Sequence, residues 1–525
     1  MRRSTLPLFF LALTGAPMSA QTRARAGEPA AAVRRAVETI TPADVQRRIG
    51  ILADDSMRGR LTPSPQLDQV ADYIAGEFRR FGLRPGGDNG TFQQRYLIRR
   101  TQIDTTSFAM AMGRGAHGHW ILGRDAALVA GAIPAAPITG PAVLVVGAPA
   151  DTARPFGDVS LTGAIVLHVM SVSQIRPQTM LPLLAKAAAA GARGWIIVSD
   201  RSAQSFAVRL RNTRAPQLEL VGGAEPGDSP IPLLEVRDSS ARGVLQAAGE
   251  DIAALRASAT PTVRALGGVT STINVRRTVL SEQTAPNVIG ILEGSDPQLR
   301  NEYVFFTAHM DHIGTVADAY QCRAAGADST CNGADDNASG TTGVLELAEA
   351  FATMNPRPRR SLVFMTVSGE ERGLWGSEYY SEHPTLPLAN TVADLNIDMI
   401  GRNWRDTIVV IGKEHSSLGE VANRVTTEHP ELNMQLVDDR WPDQRFYFRS
   451  DHYNFARKGV PILFFFNGVH PDYHQATDSP DKIDAEKEAR IIRMVFYIGL
   501  DVANTTARPQ WNPESRRRIV EAAGN

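Results

Sequence analysis

Three apolar runs constrain the fold of this chain most: YVFFTAH at 303–309, SLVFMTVS at 361–368 and ADLNIDM at 393–399. Each is too continuous for a strand with one wet face, so each predicts a strand covered on both sides. The amphipathic segment GVLELAEAFATM, a last one around 484–505, and the further apolar runs NVIGILEG, TIVVIG and PILFFF complete the pattern. Strand, loop and helix therefore alternate from about residue 280. This predicts an α/β fold, with a mixed, mostly parallel sheet carrying helices on both faces. In such sheets ligands bind beyond the carboxyl ends of the strands. His309, the pair Glu370 and Glu371, and Asp398 all fall at such ends.

Two loops add to this set, GADDNASG at 333–340 and YHQATDSPDKI at 473–483. Histidine and carboxylates without cysteine suit a borderline ion such as zinc, with cobalt or manganese as substitutes. Two such ions about 3.5–4 Å apart need a shared carboxylate to offset their repulsion. The reading gives His309 and Asp398 to one ion, Glu371 and His474 to the other, and Asp336 to both. Water in the open positions is acidified toward neutral pH, and Glu370 takes its proton and passes it to a leaving amine. Singly, each residue has a plainer reading: a structural histidine, a capping aspartate, a solvated glutamate pair. Their combination, each at a strand end or loop, outweighs those readings.

The remaining sequence sets the frame. At 525 residues, length favours two or three domains. The formal net charge of −1 offers no polybasic footprint, so nucleic acid and anionic membrane are not favoured partners. Residues 1–20 read as an export signal, with Arg2 and Arg3, an apolar core from Leu6 to Leu13 and small residues ending at Ala20. This predicts a periplasmic or extracellular protein, and no later segment is apolar enough to span a membrane. Cys322 and Cys331 flank RAAGADST; in an exported protein such a pair predicts a disulfide, here holding the loop that enters GADDNASG. Thr41-Pro42-Ala43-Asp44 starts a helix, and PQLDQVADYIAGEFRRFGL continues as another, ending at Gly82. The middle region changes to Ala, Gly, Val and Pro, with AVLVVGA, GAIVLHV and GWIIVS as buried strands and LPLLAKAAAAGA as a helix. The expected divisions are 1–20 leader, 35–111 first part of the main domain, 112–272 insert, 273–510 main domain and 511–525 tail.

On these motifs the chain resembles the cocatalytic di-zinc exopeptidases, a family that includes bacterial leucyl aminopeptidases and glutamate carboxypeptidases. The resemblance covers about 40–110 and 280–505. It implies two zinc ions held by His309, Asp336, Glu371, Asp398 and His474, with Asp311 orienting His309 and Glu370 as general base. Asp336 rather than Asp335 is implied as the shared ligand, because it lies three residues before Ser339. Some members place an oxyanion-stabilising tyrosine five residues before the His of a Ser-Asp-His run, which in RFYFRSDHY is Tyr447. The middle region resembles a protease-associated domain, an α/β insert without catalytic residues.

The function this implies is an exported zinc exopeptidase acting on peptides, most simply an aminopeptidase. Carboxypeptidase or dipeptidase polarity on the same core stays open, as do a glutaminyl cyclase with one zinc and a receptor-like homologue without catalysis. His312 either supports the site or caps the turn before Gly314. Arg449 either binds a substrate carboxylate or makes a structural ion pair. Ser450, Asp451 and His452 are sequence neighbours and cannot readily form a serine triad.

Overall fold

The computed structural model describes residues 30–521 except 106–107, 113–118, 132, 150, 224–228, 259 and 319–320, so the expected leader at 1–20 lies outside the described residues. The chain forms two compact units, one from the segment up to Tyr96 with the segment from Ala285 onward, the other Leu97–Thr284.

Seven strands of the first unit's ten-stranded sheet position the site: β1 (Arg277–Leu292, entering from the second unit), β2 (Tyr303–His309), β3 (Ser361–Val367), β4 (Thr391–Asp398), β5 (Thr407–Ile411), β6 (Gln435–Val437) and β7 (Ile462–Phe466). Their order across the sheet is β6-β5-β7-β4-β2-β3-β1. The four central strands β7, β4, β2 and β3 are parallel, while β1 and β5 flank them antiparallel. Parallel strands need crossover helices, which explains why both faces are covered.

Neighbouring phenylalanines of β2 show the two faces. Phe306 stacks on Phe364 at 5.3 Å and meets Phe351 of α3 (Gly340–Ala352), which stacks in turn on Phe496 of α7 (Ala485–Asn504) at 4.2 Å. Phe305 points the other way, to Tyr380 of α4 (Trp375–Glu382) and Phe455 of α6 (His452–Ala456), at 5.8 and 5.6 Å. The first part of the chain supplies α1 (Pro42–Leu52), capped by the Thr41 hydroxyl, and α2 (Pro65–Arg80), capped by Ser64. The helix α5 (Leu418–Glu428) lies between β5 and β6 in sequence.

The segment expected as a tail is not one over its described part. Pro513–Arg516 is helical, Trp511 Nε1 donates to Gly459 O at 2.9 Å, and Ile519 is buried. Few apolar residues mark this stretch in sequence, and two of them, Trp511 and Ile519, anchor it.

The second unit carries an eight-stranded sheet in which Ile138–Val146, Ile165–Met170, Gly194–Ser199 and Leu233–Arg237 are successive parallel neighbours. Alternate residues feed two cores, Leu167 and Ile196 on one face, Val166 and Trp195 on the other. Its limits are wider than the expected 112–272. The strands Gln93–Ile103 and Arg277–Leu292 run from one unit into the other, so the change of composition does not mark the border.

Candidate metal centre

The carboxyl ends of β2, β3 and β4 bring the expected residues together. His309 and Asp398 are the last residues of their strands, and Glu370 and Glu371 lie in the loop after β3. His309 Nε2 stands 3.3 Å from Asp336 Oδ1 and 3.4 Å from Asp398 Oδ1. On the other side of Asp336, His474 Nε2 stands 3.3 Å from Oδ2 and 3.2 Å from Glu371 Oε2. The two oxygens of Asp336 thus face two separate sets of donors.

These spacings fit metal ions better than hydrogen bonds. Two ligands about 2.0–2.1 Å from a tetrahedral ion lie roughly 3.3 Å from each other. Asp336 Oδ2, Asp398 Oδ1 and His474 Nε2 are buried without a hydrogen-bond partner. Such atoms are costly unless something else satisfies them. The donor set, imidazoles with carboxylates, suits zinc.

The loop that delivers Asp336 depends on Gly333, whose φ is +58°. A Cβ there would lie 2.2 Å from Asp336 O and 2.5 Å from His312 Cγ, so no other residue fits. Asp478 accepts from Asp336 N at 3.1 Å and Ser339 Oγ donates to Asp335 O at 2.7 Å, which ties the loop down. Asp335 itself turns away from the centre, to Gly401 N and His470.

Electrostatics follow from burial. Burial pushes Glu370 well above the usual carboxylate range, with Glu371, Asp451 and Asp398 adding to it against His309. Burial likewise raises Asp398. For Asp336 burial also acts upward, but His312, His309 and His474 outweigh it and hold the carboxyl well below its ordinary value. Burial lowers His474, yet Asp336 and Glu371 outweigh it and bring it up to about 10. Without a metal the pocket therefore holds protons that a cation displaces on binding.

Asp311 touches His309 as expected, though less directly. His309 Nδ1 is 3.2 Å from the Asp311 carbonyl and 3.8 Å from its carboxylate. That carboxylate is held by Thr62 Oγ1 at 2.9 Å and by Glu370 N at 3.3 Å, which links the histidine to the loop that carries Glu370. Ser450 Oγ donates to Asp398 Oδ2 at 2.9 Å, Asp451 takes Ser377, and His452 reaches Tyr447 O, so the three neighbours serve separate partners.

The expectation for Tyr447 is corrected. The short turn Phe446–Phe448 buries Tyr447 against His415, edge to face at 4.6 Å, while Phe446 lines the cavity. The tyrosine that does line the cavity, beside His309, Asp336, Glu370 and Asp398, is Tyr473. Its signal in sequence was adjacency to His474, on which its ring stacks at 3.9 Å. His312 is buried, with Nδ1 2.7 Å from Glu371 Oε1 and 3.7 Å from Asp336 Oδ2, and so supports the second donor set rather than capping a turn.

Residues 287–499 match the family model described as peptidase family M28. The chain is similar to leucine aminopeptidase 2 of Arthroderma otae, 28% identical over 365 residues, covering 64% of this chain and 67% of that protein. It is also similar to aminopeptidase YwaD of Bacillus subtilis, 25% identical over 223 residues, 39% of this chain and 42% of that one. The matches thus span about two thirds and less than half of those relatives. A solved aminopeptidase from Aneurinibacillus sp. strain AM-1 shares the fold, with a TM-score of 0.50 and 19% identity over 92% of this chain and 98% of that one.

The two motif loops are joined by a residue that the sequence did not single out. Arg60, fully buried, donates to the carbonyls of Leu52, Met310, Asn332 and Gly333, at 2.8, 2.9, 2.6 and 3.0 Å. Burial brings its guanidinium down to about 10, so it stays charged at neutral pH. Replacing Arg60 by Met strands four buried carbonyls. Urea denaturation of the metal-free variant is expected to show a loss of about 3–5 kcal/mol, and a loss under 1 kcal/mol would refute the clamp.

Proposed function

We propose that this chain is a zinc-dependent aminopeptidase holding two ions, one between His309, Asp336 and Asp398, the other between Asp336, Glu371 and His474. The carrying observation is the division of Asp336's two oxygens between two donor sets, with Glu370 lining the same cavity. Zinc bound there supplies Lewis acidity toward a carbonyl oxygen and makes water a nucleophile near neutral pH. Glu370 stands in neither donor set; it takes the proton from attacking water and returns it to the leaving amine. The phenol of Tyr473 donates to oxygen charge that develops on the carbonyl. Glu370, Asp336 and Asp398 make the cavity acidic, which complements the cationic amino end of a peptide. Met399, Phe464 and Phe466 complement an apolar first side chain.

A second reading, carboxypeptidase or dipeptidase polarity, draws on Arg449. Its guanidinium also belongs to the cavity lining and lies 4.7 Å from the Phe446 ring centre. A leucyl arylamide and an N-acylated peptide with a free carboxylate separate the two. Aminopeptidase action predicts release of arylamine and little attack on the blocked peptide. Cleavage of the blocked peptide alone reverses the polarity.

Export from the cytoplasm belongs to the same proposal. It is supported by the leader-like residues 1–20 and by the bonded pair Cys322–Cys331, since disulfides persist in oxidising compartments. Among the described residues no helix is long and apolar enough to cross a membrane. The unit Leu97–Thr284 reads as a protease-associated insert that supplies no residue to the donor sets.

A further inference from the structure

We infer that Gln321, anchored by the Cys322–Cys331 bridge, is the positioning residue for His474; this rests on the two-ion reading above. His309 and Asp398 end strands and inherit the rigidity of the sheet, whereas His474 lies in the irregular segment 471–477 with φ at +58°. A non-glycine residue holds that conformation only when its surroundings impose it. Its imidazole therefore needs an external partner to aim it.

Gln321 supplies that partner. Its amide oxygen lies 3.0 Å from His474 Nδ1, and an amide oxygen only accepts, so Nδ1 carries the proton. The lone pair is then left on Nε2, the nitrogen facing Asp336 Oδ2 and Glu371 Oε2. A hydrogen bond to the distal nitrogen is what fixes tautomer and ring plane in a ligand histidine. Tyr473 and His312 flank the ring, at 3.9 and 5.6 Å between ring centres, but they limit its position rather than its tautomer.

Gln321 lies on an exposed loop that would not hold a side chain in place by itself. Two attachments follow it directly in the chain. Next to it, Cys322 is bonded to Cys331, and Cys331 is buried beside Ile313 and Ala476 and donates its N–H to Gly314 O at 3.1 Å. One residue on, Arg323 pairs with Gln475, and Arg323 O accepts from Ala476 N at 3.0 Å. The bridge thus ties the loop to the turn after His312, and the strand-like pairing ties it to the backbone that carries His474. The disulfide acts on the second donor set through one hydrogen bond.

The test compares zinc binding, by calorimetry with chelator competition, in the full chain and in Gln321→Met and Gln321→Glu. Methionine keeps the length but loses the acceptor; glutamate keeps the acceptor. Gln321→Met is expected to weaken one of the two zinc sites about 10–100-fold and leave the other unchanged, with Gln321→Glu close to the parent. Cobalt-substituted Gln321→Met should show an altered visible spectrum for one ion only. Cys322→Ser/Cys331→Ser is expected to weaken the same site. Two unchanged sites in Gln321→Met, or equal weakening in Gln321→Glu, overturns the inference even if the double serine variant fails to fold. A parent protein that binds no transition ion overturns the two-ion reading instead, so the two failures are distinct.

Discussion

Glu370→Gln is expected to lower kcat on a leucyl arylamide by about 10²–10⁴-fold while both zinc ions remain bound. The reason is geometric. Neither donor set includes Glu370: its carboxylate lines the cavity, while its N–H is spent on Asp311 Oδ1 at 3.3 Å. Glutamine preserves size and can still hydrogen-bond water, but it cannot accept a proton. Metal content by elemental analysis together with kcat decides the matter. Turnover within a few-fold of the parent would remove Glu370 from the proton path, and loss of an ion would make it a ligand.

Asp336→Ala is expected to have a larger effect, because its two oxygens face both donor sets of the proposed centre. His309 Nε2 and His474 Nε2 would each keep only one carboxylate neighbour, Asp398 and Glu371 respectively. Zinc retained after dialysis should fall from two per chain to less than one, and hydrolysis should vanish. Stability gives an independent readout. A ligand at a thousand times its Kd stabilises the folded chain by about 4 kcal/mol, so a chelator should lower the Tm of the parent by several degrees. The Tm of Asp336→Ala should not respond to chelator. A persistent response would mean that the ions sit elsewhere.

How far the site could be read in advance depended on how each residue is held. His309, Glu371 and Asp398 were legible because an apolar run and the polar residue that ends it are adjacent in sequence, and the parallel sheet aligns such ends. Asp336 was legible only with the help of a family pattern, since GADDNASG offers two aspartates and nothing local says that Asp335 turns to Gly401. Tyr447 was misplaced because its spacing ignores how RFYFRSDHY winds. In that tight turn Phe446 takes the cavity and Tyr447 takes the core. Arg60, Thr62 and Gln321 left no local trace. The partners that place them at the site lie more than 150 residues away, and in sequence they read as ordinary surface residues.

For the fold, continuous apolar runs marked the strands of both units correctly. The border between the units stayed hidden, because the long strands that pass from one to the other continue unbroken where they cross, one of them straight through Pro286 and Asn287.

That crossing has a consequence for how the protein is made. The helices Pro42–Leu52 and Pro65–Arg80 are made early, yet strands β2 to β7 of the sheet they pack on follow the whole second unit. At about 5–20 residues per second, roughly 190 intervening residues delay their partners by on the order of ten to forty seconds. Through that interval the later strands and helices that cover their apolar sides are missing, so translation stopped inside the second unit is expected to release a fragment prone to aggregate.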